Sequence, residues 1–191
     1  MKIRGEPSAG LHPSPPSRCL ELSTSCVRQR VRYWFAETKL KLMPNSSPDL
    51  TKQAPRSARL RLGGYVTLPR MLDKGRATLA GKNGEYHYAC PMDQRLLDFL
   101  GLDAEVLKKQ IASGKGDGEI LDWILANRKH QHTAPEIATW SSYQEQRVPT
   151  DPDSRAYFNE LHTKAAPKRE DIATWFDLLD ADDYVSFGGK A

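Results

Sequence analysis

YVTLPRMLDKGRATLAG, residues 65–81, decides how the chain is read. Leu68, Met71, Leu72 and Leu79 recur at helical spacing, which gives the segment one apolar face. Pro69 falls in the first turn, where its missing N–H costs nothing, while Gly75 costs about 1 kcal/mol relative to alanine in a helix interior. The stretch is therefore expected to be a helix that starts just past Gly63-Gly64. Arg70, Asp73, Lys74 and Arg76 lie within two of its turns and are the candidate ligand-binding residues. Three cations near a glycine turn suit a carboxylate or phosphate ligand. The alternative is a solvated helix face laced with ordinary ion pairs, and residue types leave both open.

Directly downstream stands GKNGEYHYACPMDQRLLDF, residues 81–99. Asn83-Gly84 is a tight-turn dipeptide, and the alternation from Glu85 to Cys90 places Tyr86, Tyr88 and Cys90 on one side with His87 on the other. One short hairpin is expected here. If Pro91 is the first helical residue, Cys90 is the N-cap, close to unpaired backbone N–H groups and the positive helix end, a position that favours thiol chemistry. Cys90 and His87 are thus the candidate catalytic residues, although strand alternation turns the His87 ring away and Glu85 and Asp93 work against thiol activation. The other reading makes Cys90 a small cap, with Tyr86 and Tyr88 packed on the helices.

The remainder reads as helices. Met92, Leu96, Leu97 and Leu100 end at Gly101; Asp103 caps a helix with Val106, Leu107 and Ile111 that ends at Gly114. Asp117 opens the next, Thr133 and Glu136 form a capping box before Ile137 and Trp140, and Asp151-Pro152 begins another with Tyr157 and Phe158. Ile172, Trp175, Phe176 and Leu179 give the last, which runs into the acidic DLLDADD. EILDW (119–123), EIATW (136–140) and DIATW (171–175) echo one another, as a true repeat or as the shared grammar of acid-first helices with an aromatic anchor. His130 and His132 have metal-like spacing without companion ligands and read as a polar loop, so no metal is expected. GKNG and GKGDG lack the phosphate-loop pattern and read as turns.

Charge excludes one function class. Residues 1–42 hold eight Lys/Arg against three Asp/Glu, a balance of +5, whereas residues 43–191 hold 20 against 21. The basic balance belongs to the leader, and the body lacks the cationic face that nucleic acid requires. No apolar run of about 18 residues exists, so no membrane span is expected. The leader also lacks the apolar centre of a secretory signal. Residues 1–42 are expected to be disordered or mis-assigned, with Met43 the true start; Gln29–Phe35 is the one local helix expected there. Two of the three cysteines, Cys19 and Cys26, lie in this leader, which suits a reduced, cytoplasmic setting.

DLTKQAPRSARLRLGGYVTLPRMLDKGRATLAGKNGEYHYACPMDQRLLDFLGLD (49–103) resembles the bacterial family named domain of unknown function 5069. The resemblance continues more loosely through DGEILDWI, APEIATW and the acidic end. It implies a compact bacterial cytoplasmic protein beginning near Met43, and it brings no activity or catalytic residue with it.

The expected fold is therefore mainly α: a single compact domain over 43–191, of six or seven helices with one short β-hairpin. Trp123, Trp140, Phe158, Trp175 and Phe176 are expected to make its core aromatic-rich. Two functions remain: a small binding or interaction module with a protein or small-molecule partner, or an enzyme or ligand-binding domain for a small anionic metabolite. In the second, Arg70, Lys74 and Arg76 orient the ligand and Cys90 or His87 does proton or thiol work. Neither a cofactor nor an oligomeric state is assigned.

Overall fold

The computed structural model describes residues 47–190. The expectations for the leader, including the helix at Gln29–Phe35, lie outside the described residues. Strands β1 (Arg61–Leu62) and β2 (Tyr65–Val66) pair antiparallel, with Arg61 opposite Val66 and Leu62 opposite Tyr65. Seven helices follow: α1 (Leu68–Leu79), α2 (Pro91–Leu100), α3 (Ala104–Ala112), α4 (Asp117–Asn127), α5 (Ala134–Glu145), α6 (Pro152–Ala165) and α7 (Trp175–Ser186).

Local signals start most of these helices. Asp103 Oδ1 accepts the Val106 N–H at 2.9 Å, and Asp151 Oδ1 accepts that of Ser154 at 2.8 Å. Thr133 and Glu136 cap α5 reciprocally, as do Thr174 and Asp177 at α7. Pro91 opens α2 with Cys90 as N-cap. The third echo segment differs from the first two: Glu119 and Glu136 lie inside their helices, while Asp171 precedes Thr174, the N-cap of α7. What the three segments share is a buried isoleucine, Ile120, Ile137 and Ile172.

The hairpin forms around Gly63-Gly64 and not at Asn83-Gly84. Both turn glycines take positive φ (59° and 86°), the requirement of the two-residue turn whose twist matches paired strands. Ser141 on α5 clamps it by donating to the Gly64 carbonyl at 2.8 Å. Residues 85–90 stay out of strand because Ala89 adopts φ 58°, which breaks any extended run. Their two tyrosines also part company. Tyr86 donates to Asp183 on α7 at 2.8 Å, and Tyr88 to the Ala104 carbonyl at 2.9 Å.

The main core is mostly aliphatic around a fully buried Tyr65, a correction to the expectation that Trp123 and Trp140 fill it. Leu68, Met71 and Leu72 from α1 meet Leu96, Leu97 and Leu100 from α2, with Leu107, Ile111, Ile120 and Ile124 behind them. Trp123 and Trp140 are half-buried and close the edge of this cluster. Their size suits a lid over a core whose interior the smaller side chains already fill. Phe158 packs in a second cluster with Ile172 and Leu178, edged by Trp175. Phe176 joins Ala58 and Val66 in a third, which ties α7 to the hairpin. Leu97→Ala should cost about 2–5 kcal/mol in urea denaturation, against less than about 0.5 kcal/mol for Val106→Ala at an exposed position.

Candidate functional site

Helix α1 is buried from Leu68 to Ala77 on every face, so its charged residues cannot form a solvated surface. Arg70, Asp73, Lys74 and Arg76 are all less than a tenth exposed. A charge taken out of water is tolerated only with an opposite charge and directed hydrogen bonds. Each of the four has found a partner on another element.

Asp73 and Arg76 face one side. Asp73 receives the Arg56 guanidinium in a bidentate pair at 2.7 and 2.8 Å. Arg76 stands 2.7 Å from Asp117, the first residue of α4, and Arg56 reaches the same carboxylate at 2.6 Å. Burial raises the Asp117 carboxyl, but Arg56 and Arg76 outweigh it and hold the group below its ordinary range. Asp73 and Arg76 approach each other only to 4.0 Å. The local i, i+3 pair is thus minor beside the long-range ones.

Arg70 and Lys74 face the other side, on a cavity of about 800 Å³. Arg70 makes a bidentate pair with Asp183 of α7 at 2.5 and 2.9 Å and lies 5.5 Å from the Tyr86 ring centre. Tyr86 donates to the same carboxylate, and burial together with that negative charge pushes its phenol well up. Lys74 Nζ lies 2.8 and 2.7 Å from the two Asp93 oxygens and 3.2 Å from Cys90 Sγ. Asp93 is wholly buried; burial raises its carboxyl above the ordinary range despite the pull of Lys74. His87 and Cys90 line the same cavity, His87 exposed and Cys90 half-buried.

Four of the six candidate residues, Arg70, Lys74, His87 and Cys90, therefore meet at one concavity, and Asp73 and Arg76 lie elsewhere. The cavity sits between α1, the start of α2, the 84–87 turn and the α6–α7 pair. Its mouth carries Glu85 and Asp182, neither of which has an ion-pair or hydrogen-bond partner among the described residues. Desolvation, and the negative charges of Asp183 and Glu85, hold the Asp182 carboxyl above its ordinary range against the pull of Arg70.

Sequence reasoning missed Asp182 and Asp183, and placed Asp93 beside Cys90 without its pairing to Lys74. The signal for Asp183 was present in DLLDADD, where Asp177, Asp180 and Asp183 recur every three residues on a face shared with Phe176 and Leu179. Acids on the same face as core aromatics mark an ion-paired interface. His130 and His132 are not a metal pair: His132 stacks on Phe99 at 3.8 Å and its Nε2 lies 2.7 Å from the Phe99 carbonyl.

Asp183→Asn should cost about 3–5 kcal/mol by leaving Arg70 buried without its counter-charge, and the double variant Arg70→Met/Asp183→Leu should recover much of the loss. Asp182→Asn should have the opposite sign. A carboxyl whose folded-state value is raised opposes folding when ionised, so removing the charge stabilises the protein at pH 7, by under about 1 kcal/mol after solvent screening. The gain should shrink as pH falls through the raised folded-state value and be gone below about 4, where the wild-type carboxyl is protonated in the folded and unfolded states alike. Thermal denaturation across pH reads both.

Among the described residues no helix is long and apolar enough to cross a membrane. A search of curated proteins finds no match to the chain. Residues 52–185 match the family described as Domain of unknown function (DUF5069), and with well over half of its length matched the chain belongs to that family.

Proposed function

We propose that this domain is a small-ligand binding module whose cavity takes a ligand carrying a positive charge. The observation that carries this reading is the charge left over after the internal pairs cancel. Asp183 neutralises Arg70 and Asp93 neutralises Lys74. Glu85 and Asp182 remain at the mouth with no ion-pair or hydrogen-bond partner among the described residues, and the Arg70 that pulls on Asp182 is already engaged by Asp183. An anion entering the cavity would have to displace a buried carboxylate from its cation, a rearrangement that costs about 3–5 kcal/mol. A cation needs no displacement, and it relieves the repulsion between Asp182 and its acidic neighbours.

Tyr157 and Phe187, both exposed at the cavity, offer aromatic faces beside these carboxylates. The combination of acids and aromatic rings suits an ammonium group, primary or quaternary. This reading replaces the small anionic metabolite, because Arg70, Lys74 and Arg76 are already engaged.

A thermal-shift series on the full chain tests it, with putrescine and choline against succinate and inorganic phosphate. A cation present at about 100 times its Kd contributes about 2.7 kcal/mol. In a chain of this size each kcal/mol moves the melting temperature by about 2–4 °C. The cations should therefore raise it, the anions should not, and Glu85→Gln/Asp182→Asn should remove the effect. Stabilisation by the anions alone would overturn the reading.

A further inference from the structure

Cys90 Sγ, Lys74 Nζ and the Asp93 carboxylate form one contiguous cluster at the floor of the cavity. The Lys74 and Asp93 side chains are closed off from water at 5% and 0% exposure, whereas Cys90 is half-buried and lines the open side. Asp93 Oδ2 accepts no directed hydrogen bond, although Nζ stands 2.7 Å away. The floor therefore holds a thiol, a fixed positive charge beside it, and a buried oxygen with spare capacity for a proton.

We infer that Cys90 is the nucleophile of this cavity, and that its co-reactant is the disulfide of an aminothiol, whose ammonium group Glu85 and Asp182 hold at the mouth. The inference rests on the reading of the cavity as a cation site. In the step, Nζ, which touches both groups, first passes one of its protons to Asp93 Oδ2 and then, as the neutral amine, takes the proton of Sγ. Lys74 is charged again at the end of the exchange and stands beside the negative sulfur it leaves. Sγ attacks one sulfur of the co-reactant, the old S–S bond breaks as the new one forms, and the departing aminothiol leaves with the proton. One disulfide is consumed and one is made, so no external oxidant is needed, and free thiols reverse the reaction.

The charge pattern makes the test specific. Cys19 and Cys26 lie in the segment with the +5 balance and serve as references within the same chain. The full-length protein is treated with cystamine, with neutral 2-hydroxyethyl disulfide and with the dianion dithiodiglycolate, and each cysteine is followed by peptide-resolved mass spectrometry. Cys90 should react with cystamine on the order of tenfold faster than with the neutral reagent, and faster still than with the dianion. At Cys19 and Cys26 this order should not appear.

Glu85→Gln/Asp182→Asn should bring the cystamine rate at Cys90 down to the neutral one. Lys74→Gln/Asp93→Asn, which removes both buried charges together, should slow all three reagents. If native Cys90 reacts with every reagent no faster than it does in urea, relative to Cys19, it is not a nucleophile and the inference falls, while the cation site stands on its melting-temperature shifts. Rapid modification that ignores reagent charge, or favours the dianion, overturns the aminothiol co-reactant. In that case the melting-temperature series shows whether the cation site falls with it.

Discussion

A helix buried over all but its last turn carries four charged residues, and the rest of the structure is arranged to neutralise them. Arg70, Asp73, Lys74 and Arg76 each meet an opposite charge from a distant part of the chain: Asp183, Arg56, Asp93 and Asp117. Exposed ion pairs are worth little because water competes for both partners. Water is excluded from the Arg70–Asp183 and Lys74–Asp93 pairs, so the loss of one partner there strands the other in a medium that cannot solvate it. The pairs thereby act as position markers. They specify where α2, α4, α7 and the segment around Arg56 must sit against α1, more narrowly than aliphatic packing alone would.

That arrangement also determines the chemistry of the cavity. Its floor is built from cations, which on composition alone points to an anionic ligand. Because Asp93 and Asp183 already satisfy those cations, the floor is neutral overall and the field at the mouth comes from Glu85 and Asp182. Burial then leaves Asp93 with an ionised form less comfortable than in water and the Tyr86 phenol firmly protonated. Proton-holding groups and an unspent negative field thus occupy one concavity, next to a half-buried thiol.

Most of the fold was legible because helices announce their ends locally. Asp103, Thr133 and Asp151 capped the helices that their spacing indicated, and Pro91 placed Cys90 at an N-cap. The hairpin was expected twenty residues too late because Asn-Gly and Gly-Gly offer the same turn geometry, and only the second had flanking residues free to pair. Phe158 and Phe176 are core as expected, while Trp123, Trp140 and Trp175 sit at rims, because amphipathic spacing locates a face without saying whether that face is a centre or a rim. The site was half legible. Arg70, Lys74, His87 and Cys90 stand out by residue type, but their neutralising acids lie as far as 113 residues away in sequence, and no local pattern links Arg70 to Asp183.

The Arg70 and Asp183 pair joins two roles that are usually separate. It lies at the cavity floor, and it is also the buried contact by which α7 docks on α1. Beside the buried Phe176 contact with Ala58 and Val66, the other polar ties of α7 are more exposed: Arg59 pairs with Asp177 and Asp180, and Ser57 donates to Asp180 at 2.8 Å. The α6–α7 pair has its own small cluster of Phe158, Ile172 and Leu178, which makes it one packed wall of the cavity. A cavity whose wall is supplied by such a pair exists only while the pair is docked. By linkage, any ligand that binds there must favour docking by as much free energy as docking contributes to its own affinity. Occupancy of the cavity and integrity of the C-terminal helix are then two measures of one equilibrium.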